Sequence, residues 1–178
     1  MGAPLGDNIG CNAEVNEVLE ILRGEKKNDL SRLSVFHAAK IMQAAEGIGD
    51  DEAASRAANG IDSGAAIIKF GEIIAAQGGN AGDVYKTLPM SDTVHTLRAK
   101  EDGYVRISAL ALGRACAALG GGRAKEGDAI DHGAGILLKV RQGARVKKGA
   151  VLAEAYCSKS GEEGFALAES AFAFSPKK

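Results

Sequence analysis

One change of pattern constrains this chain more than any other feature: near residue 92, helical spacing of apolar residues gives way to short strand-like runs. Before that point Val15, Val18, Leu19 and Leu22 stand at i, i+3, i+4 and i+7, which is one face of a helix. Asn12 precedes them as the expected cap and Gly24 follows as a stop. Asp29 is the expected cap of a second helix, with Leu30, Leu33, His37 and Ile41 along one side and Gly47 after it. Asp50 opens a third, and Asp51 and Glu52 sit in its first turn, where acidic groups complement the helix dipole. A fourth is expected over about residues 65–77, ending at Gly78-Gly79-Asn80.

Beyond residue 92 the period shortens. Residues 93–99 and 104–107 read as strands around an Asp102-Gly103 turn. An Ala/Leu-rich helix over about 108–119 stops at Gly120-Gly121-Gly122. Strands are expected at 129–140 and 151–157, then a short helix and the apolar run 171–174; none is expected before the first helix. Strands and helices mixed in this way give an α+β chain in two parts, 1–92 and 93–178. Aromatic residues make up 4% of the chain and Trp is absent, so the core must come from Ala, Val, Ile and Leu. Buried apolar area stabilises by ~25 cal/mol per Å², and Ala supplies little of it. The helical part is therefore expected to need a further layer.

Composition narrows the function classes. Hydrophobic content of 46% with 25% charged residues fits a folded chain, and a formal net charge of -1 offers no bulk attraction for a polyanion. Arg141, Arg145, Lys147 and Lys148 read as a solvated basic turn without aromatic platforms, so no nucleic-acid partner is expected. No run approaches the ~20 apolar residues of a membrane span, and the first six residues lack the basic and apolar regions of a signal peptide. A cytoplasmic location is the resulting expectation. Cys11, Cys116 and Cys157 form no CxxC and no zinc-ligand cluster, and are expected to be free thiols.

Nor do the polar residues assemble a reaction centre. His37, His95 and His132 are far apart in sequence. Asp131 and His132, as strand neighbours, would point to opposite faces. No Gly-x-Ser-x-Gly elbow, GxGxxG or Walker A occurs. Gly120-Gly-Gly-Arg123 follows a helix C-terminus, whose dipole is of the wrong polarity for phosphate. Any chemistry this chain serves is expected to be completed by residues outside it.

The most specific local signal is Gly143-Ala-Arg-Val146-Lys-Lys-Gly149-Ala-Val-Leu152, with Val146 facing inward between exposed bases. Together with Asp102-Gly-Tyr-Val105 it resembles the hairpins of biotinyl- and lipoyl-carrier barrels. The modified-lysine contexts of those carriers, Met-Lys-Met and Asp-Lys-Ala, are absent. A non-enzymatic barrel-sandwich binding module is the alternative reading that this hairpin keeps open.

Taken in order, a longer series of motifs is similar to the C-terminal portion of the pyrimidine-nucleoside phosphorylases, the family that includes thymidine phosphorylase. The series is Met1-Gly-Ala-Pro-Leu-Gly6, Gly10-Cys-Asn-Ala-Glu14-Val15-Asn-Glu17, Leu22-Arg-Gly24, Asp62-Ser-Gly64, Ala75-Ala-Gln-Gly-Gly79 and Leu88-Pro89. It continues through Asp102-Gly-Tyr-Val105, Ala111-Leu-Gly113, Leu119-Gly-Gly-Gly-Arg123, Ile130-Asp-His132 and Val146-Lys-Lys-Gly149. The resemblance implies reversible phosphorolysis of a pyrimidine nucleoside, with phosphate as co-substrate, to free base and (deoxy)ribose 1-phosphate. It implies a homodimer, no required organic cofactor, helices of a large α/β domain over 1–92, and an α/β-hammerhead, barrel-sandwich-like domain over 93–178. The family's phosphate loop, base-recognising residues and catalytic His have no counterpart in this chain, so a missing N-terminal half is the expected partner and the chain alone is expected to be inactive. The resemblance also implies half of a site for a structural monovalent cation such as potassium: carbonyls of Leu5 and Asn8 and the carboxylate of Glu17, hard oxygen donors that suit such an ion. If Glu17 is not a ligand, it is expected to be an exposed helix carboxylate. The segment departs from the family at Gly2 and Ala3, where polar residues are usual, and at Cys11-Asn12.

Overall fold

Gly10 is where the chain's first turn is decided. Its φ of +116° suits a residue without a Cβ, and a Cβ there would lie 2.5 Å from the Ala134 carbonyl oxygen. That close approach lets a two-residue strand, β1 (Asn8–Ile9), pair antiparallel with β4 (Gly135–Leu138). A strand before the first helix was not expected, because two residues carry no periodicity. In this computed structural model the described residues are all but 1, 3, 124, 159, 160 and 178, so Met1, Ala3 and Lys178 lie outside them.

Contacts divide the chain into two units, one of residues 16–87 and the other of residues 1–15 with 88–178. Helix α1 (Cys11–Leu22) contributes to both. Asn12 lies inside α1 rather than capping it, and its side-chain amide donates to the Pro89 carbonyl at 2.8 Å.

The helical unit continues through α2 (Asp29–Glu46), α3 (Asp50–Asp62), α4 (Ala65–Ala76) and a 3₁₀ turn over Ala81–Tyr85. The cap of α2 is Asn28, one residue before the expected Asp29. Asn28 is extended, with its side-chain oxygen accepting from the Ser31 N–H at 3.0 Å, while the Ser31 hydroxyl accepts from the Asn28 N–H at 2.9 Å. This reciprocal capping box satisfies two N–H groups that the first turn leaves open, and Asp29 moves into that turn, where its charge complements the dipole. Two small clusters form the interior: Leu19, Ile67 and Val84, and separately Ala39, Ala53 and Ala57 between α2 and α3.

The second unit holds both sheets. One has the order β1-β4-β6-β2, with β2 (Thr93–Arg98) and β6 (Val151–Cys157); the other is β5-β3-β7, with β3 (Gly103–Ile107), β5 (Arg145–Val146) and β7 (Phe172–Ser175). All pairings are antiparallel. β6 runs between β4 and β2. A single core joins the sheets to α5 (Ala109–Cys116) and α6 (Glu162–Ser170): Leu97, Val105, Leu112, Ile136, Leu152 and Phe172 all belong to it. Ser108 caps α5, and the helix relaxes into a π turn over Ala117–Gly121 that ends at the glycine run. The architecture is mixed helix and antiparallel sheet, as the α+β reading requires.

Two sequence boundaries shift. The expected strand over 129–140 shrinks to Gly135–Leu138, since Asp131 turns inward to accept hydrogen bonds and residues before it leave the ladder. The basic connection after it contains β5, whose Val146 is buried opposite Gly103. Gly143 and Gly149 take φ of +77° and +87° on either side. Asp102 closes the hairpin by accepting from the Lys148 N–H at 2.8 Å and from the Lys147 ammonium at 2.7 Å.

Candidate functional site

The three residues of the expected half cation site fall in different settings. Leu5 is 39% exposed, on the stretch leading into β1. Asn8 stands opposite Leu137 in the ladder, and its side-chain amide donates to the Ala13 carbonyl at 2.9 Å. Both belong to the sheet unit, whereas Glu17 belongs to the helical unit.

Glu17 is 1% exposed, so the alternative of an exposed helix carboxylate is corrected. A buried carboxylate needs a counter-charge and hydrogen-bond donors, because desolvation disfavours its ionised form. The chain provides both. The Lys26 ammonium lies 3.0 Å from Glu17 Oε1, and the Asn28 side-chain amide donates to the same oxygen at 2.6 Å. Asn28 therefore serves two groups at once: it accepts from the first turn of α2 and donates to Glu17. Arg23 adds a further tie within this unit, donating to the Val84 carbonyl at 3.1 Å. Sequence reasoning missed the pair. Glu17 stands away from the Val15, Val18, Leu19 and Leu22 face that the spacing of α1 picks out, so nothing in the sequence marked it as buried.

A second polar centre gathers on Asp131. Its carboxylate accepts from the Ser91 hydroxyl at 2.8 and 2.9 Å, from the Gly133 N–H at 3.0 Å and from the Ser158 N–H at 2.9 Å. Burial pushes its pKa up, but the hydrogen bonds from Ser158, Ser91 and Gly133 outweigh it and hold the carboxyl below the usual range. Asp131 thus ties three segments of the sheet unit together. Its neighbour His132 uses its backbone carbonyl to accept from the Asn12 N–H at 3.0 Å.

A third cluster lies at α6. His95 stacks on Phe165 at 4.7 Å, with its Nε2 3.4 Å from Glu169 Oε1. Lys100, 3.0 Å from Glu169 Oε2, and His95 after it hold the Glu169 carboxyl below its ordinary range. No spacing in sequence could have found this trio, because β2 and α6 are brought together only by the core. His37, the remaining histidine, sits edge-on to Phe36 at 5.6 Å on α2. The structure thus leaves the three imidazoles in three separate settings. Among the described residues, no group of three or more His, Cys, Asp or Glu is placed to hold a metal ion, and no helix is long and apolar enough to cross a membrane.

The thiols differ in reach. Cys116 is pushed up to about 11 by burial first, with Glu14 and Cys11 adding to it. Cys157 is buried, and Cys11 is half-buried at the start of α1.

Comparison of the sequence with known proteins finds similarity to nucleoside phosphorylases. Residues 104–174 match the pyrimidine nucleoside phosphorylase C-terminal domain. The chain is 36% identical over 163 residues to a pyrimidine-nucleoside phosphorylase of Geobacillus stearothermophilus, which takes in 89% of this chain and 38% of the relative. It is 34% identical over 170 residues to a thymidine phosphorylase of Mycobacterium tuberculosis, covering 95% of this chain and 38% of that protein. An AMP phosphorylase of Methanocorpusculum labreanum is 32% identical over 163 residues, covering 89% of this chain and 30% of the relative. The chain therefore spans well under half the length of these relatives, and what it matches is their C-terminal portion.

Proposed function

We propose, from the premise that this chain corresponds to the C-terminal portion of a pyrimidine-nucleoside phosphorylase, that it is the scaffold part of such an enzyme and is inactive without the remainder. In the complete assembly the reaction is reversible phosphorolysis: phosphate displaces the base of a pyrimidine nucleoside to give (deoxy)ribose 1-phosphate. One observation carries the reading, the match along 89% of this chain to only 38% of a pyrimidine-nucleoside phosphorylase. Its support within the fold is that the polar centres around Glu17, Asp131 and Glu169 each hold segments of this chain to one another. The barrel-sandwich character of the C-terminal domain belongs to the same proposal and is supported by two antiparallel sheets sharing one core.

The test is direct. The purified chain is assayed for phosphate-dependent release of thymine and uracil from thymidine and uridine, alone and mixed with the separately expressed N-terminal portion of the Geobacillus relative. Release only in the mixture is expected. Robust turnover by the chain alone sinks the claim of inactivity. Failure of the chain to associate with the N-terminal portion favours the alternative, a non-enzymatic binding module built on the Gly143–Leu152 hairpin.

The cation half-site at Leu5, Asn8 and Glu17 is part of this reading. Its support is that Glu17 is a buried carboxylate, a hard oxygen group of the kind such an ion takes. Lys26, 3.0 Å from Glu17, is a positive charge in the chain that competes with such an ion. The proposal requires potassium to stabilise Lys26→Met more than the parent. Equal, negligible effects on both remove the cation from the reading. Homodimer formation by the complete enzyme is proposed on resemblance to the family, and equilibrium sedimentation of the reconstituted mixture tests it.

A further inference from the structure

Cys11 and Cys116 are more than a hundred residues apart in sequence, yet the fold brings both sulfurs to one glycine. The Cys11 sulfur lies 4.0 Å from the Gly121 carbonyl oxygen. A Cβ on Gly121 would lie 2.7 Å from the Cys116 sulfur. The two segments also meet at the Ala134 carbonyl oxygen: a Cβ on Gly10, the neighbour of Cys11, would lie 2.5 Å from it, and one on Gly121 3.2 Å. Gly121 ends the π turn after α5, between Gly120 and Gly122, so this run puts no side chain between the thiols. Their exposures differ: Cys116 is buried, and Cys11 is half-buried at the first residue of α1. Burial, then Glu14 and Cys11, push the Cys116 thiol up to about 11, so it stays protonated at neutral pH. That Cys11 contributes agrees with the close approach of the two groups.

We infer that Cys11 and Cys116 are a redox pair, joined by a disulfide when the chain meets a hydroperoxide. Cys11, the thiol within reach of solvent, reacts first. Its sulfur attacks a peroxide oxygen: an S–O bond forms, the O–O bond breaks, and the departing oxygen takes the thiol proton and leaves as water or an alcohol. The Cys116 sulfur then attacks the sulfenic sulfur. The S–S bond forms, the S–O bond breaks, and the hydroxyl leaves with the Cys116 proton as water. The peroxide gains the two electrons that the two thiols lose. The glycine run, without side chains, is the backbone that yields as the sulfurs close to bonding distance. Cys157 takes no part: its sulfur sits against a different glycine, Gly161. The bridge pins the first turn of α1 to the end of α5. This pairing does not depend on the phosphorylase reading.

The experiment treats the full, reduced chain with hydrogen peroxide at neutral pH, both folded and in urea. Remaining thiols are blocked in denaturant without reduction. Trypsin separates the three cysteines into different peptides, which mass spectrometry then reads. The folded chain is expected to lose the mass of two hydrogens and to yield the Cys11 peptide joined to the Cys116 peptide, a product that dithiothreitol removes. In urea the same link should fall by about fivefold or more, because the long loop must then be closed without the fold. In Cys116→Ser the Cys11 sulfenic acid has no partner and should go on to sulfinic acid. In Cys11→Ser, Cys116 should stay reduced. The parental peptide map decides the matter even if a variant fails to fold. Sulfinic Cys11 without a link in the folded parent overturns the pair. So does a link to Cys157, a dimer joined through Cys11, an equal yield of the Cys11–Cys116 link in urea, or no reaction of the folded chain.

Discussion

Removing Lys26 should cost more than removing the charge of Glu17. The two form one ion pair, 3.0 Å apart, but their exposures differ: Glu17 is 1% exposed and Lys26 25%. In Lys26→Met a carboxylate with almost no access to water loses its counter-charge, and breaking a buried pair from one side costs about 3–5 kcal/mol. In Glu17→Gln the neutral amide still accepts from Asn28, while the Lys26 ammonium, a quarter exposed, turns to solvent or to Glu20 at 3.8 Å. That change should cost about 1–2 kcal/mol, the scale of one imperfect hydrogen bond. The double variant removes both charges of this pair and should be more stable than the sum of the two losses by up to roughly 3 kcal/mol. Urea unfolding followed by far-ultraviolet circular dichroism reads the effect. With a slope of about 2 kcal/mol per M, a loss of 4 kcal/mol moves the midpoint by about 2 M. The reasoning fails if Glu17→Gln costs as much as Lys26→Met, or if the double variant shows strict additivity.

Other consequences are equally open to measurement. Gly10→Ala should destabilise by about 3 kcal/mol or more, because the added Cβ lands 2.5 Å from the Ala134 carbonyl oxygen, whereas Gly143→Ala, also at positive φ but in open space, should cost about 1 kcal/mol; thermal unfolding of both variants checks the ranking. Asp131 has a depressed folded pKa, so its contribution is present above the unfolded value of about 4 and is lost as pH falls through the folded one. The stability gap between the parent and Asp131→Asn should therefore be full at neutral pH and close in acid, and a gap that widens in acid refutes the assignment. Thiol labelling of the native chain at mildly alkaline pH should modify Cys11 first, with Cys116, pushed up to about 11 chiefly by burial, reacting only on unfolding, as mass spectrometry of the labelled peptides will tell.

The sequence by itself determined what is local. The 3.6-residue spacing placed four helices before residue 92, and Gly143, Val146 and Gly149 placed the turns and the inward residue of the hairpin that pairs with Gly103 and Tyr104. Those features depend on backbone preference and side-chain period, both written in neighbouring residues. The ordered motifs likewise determined the family to which the chain is similar. Tertiary structure decided the rest. It chose Asn28 over Asp29 as the cap of α2, since only Asn28 can accept from the helix and donate to Glu17. It ended the strand expected over 129–134, because Asp131 gains hydrogen bonds from Ser91 and Ser158 that a ladder position would forgo. It gave Asn8–Ile9 a partner in β4 through a clearance that only Gly10 allows. And it buried Glu17, whose environment is made by groups that fold back onto α1, so that no window along the chain distinguishes it from an exposed carboxylate.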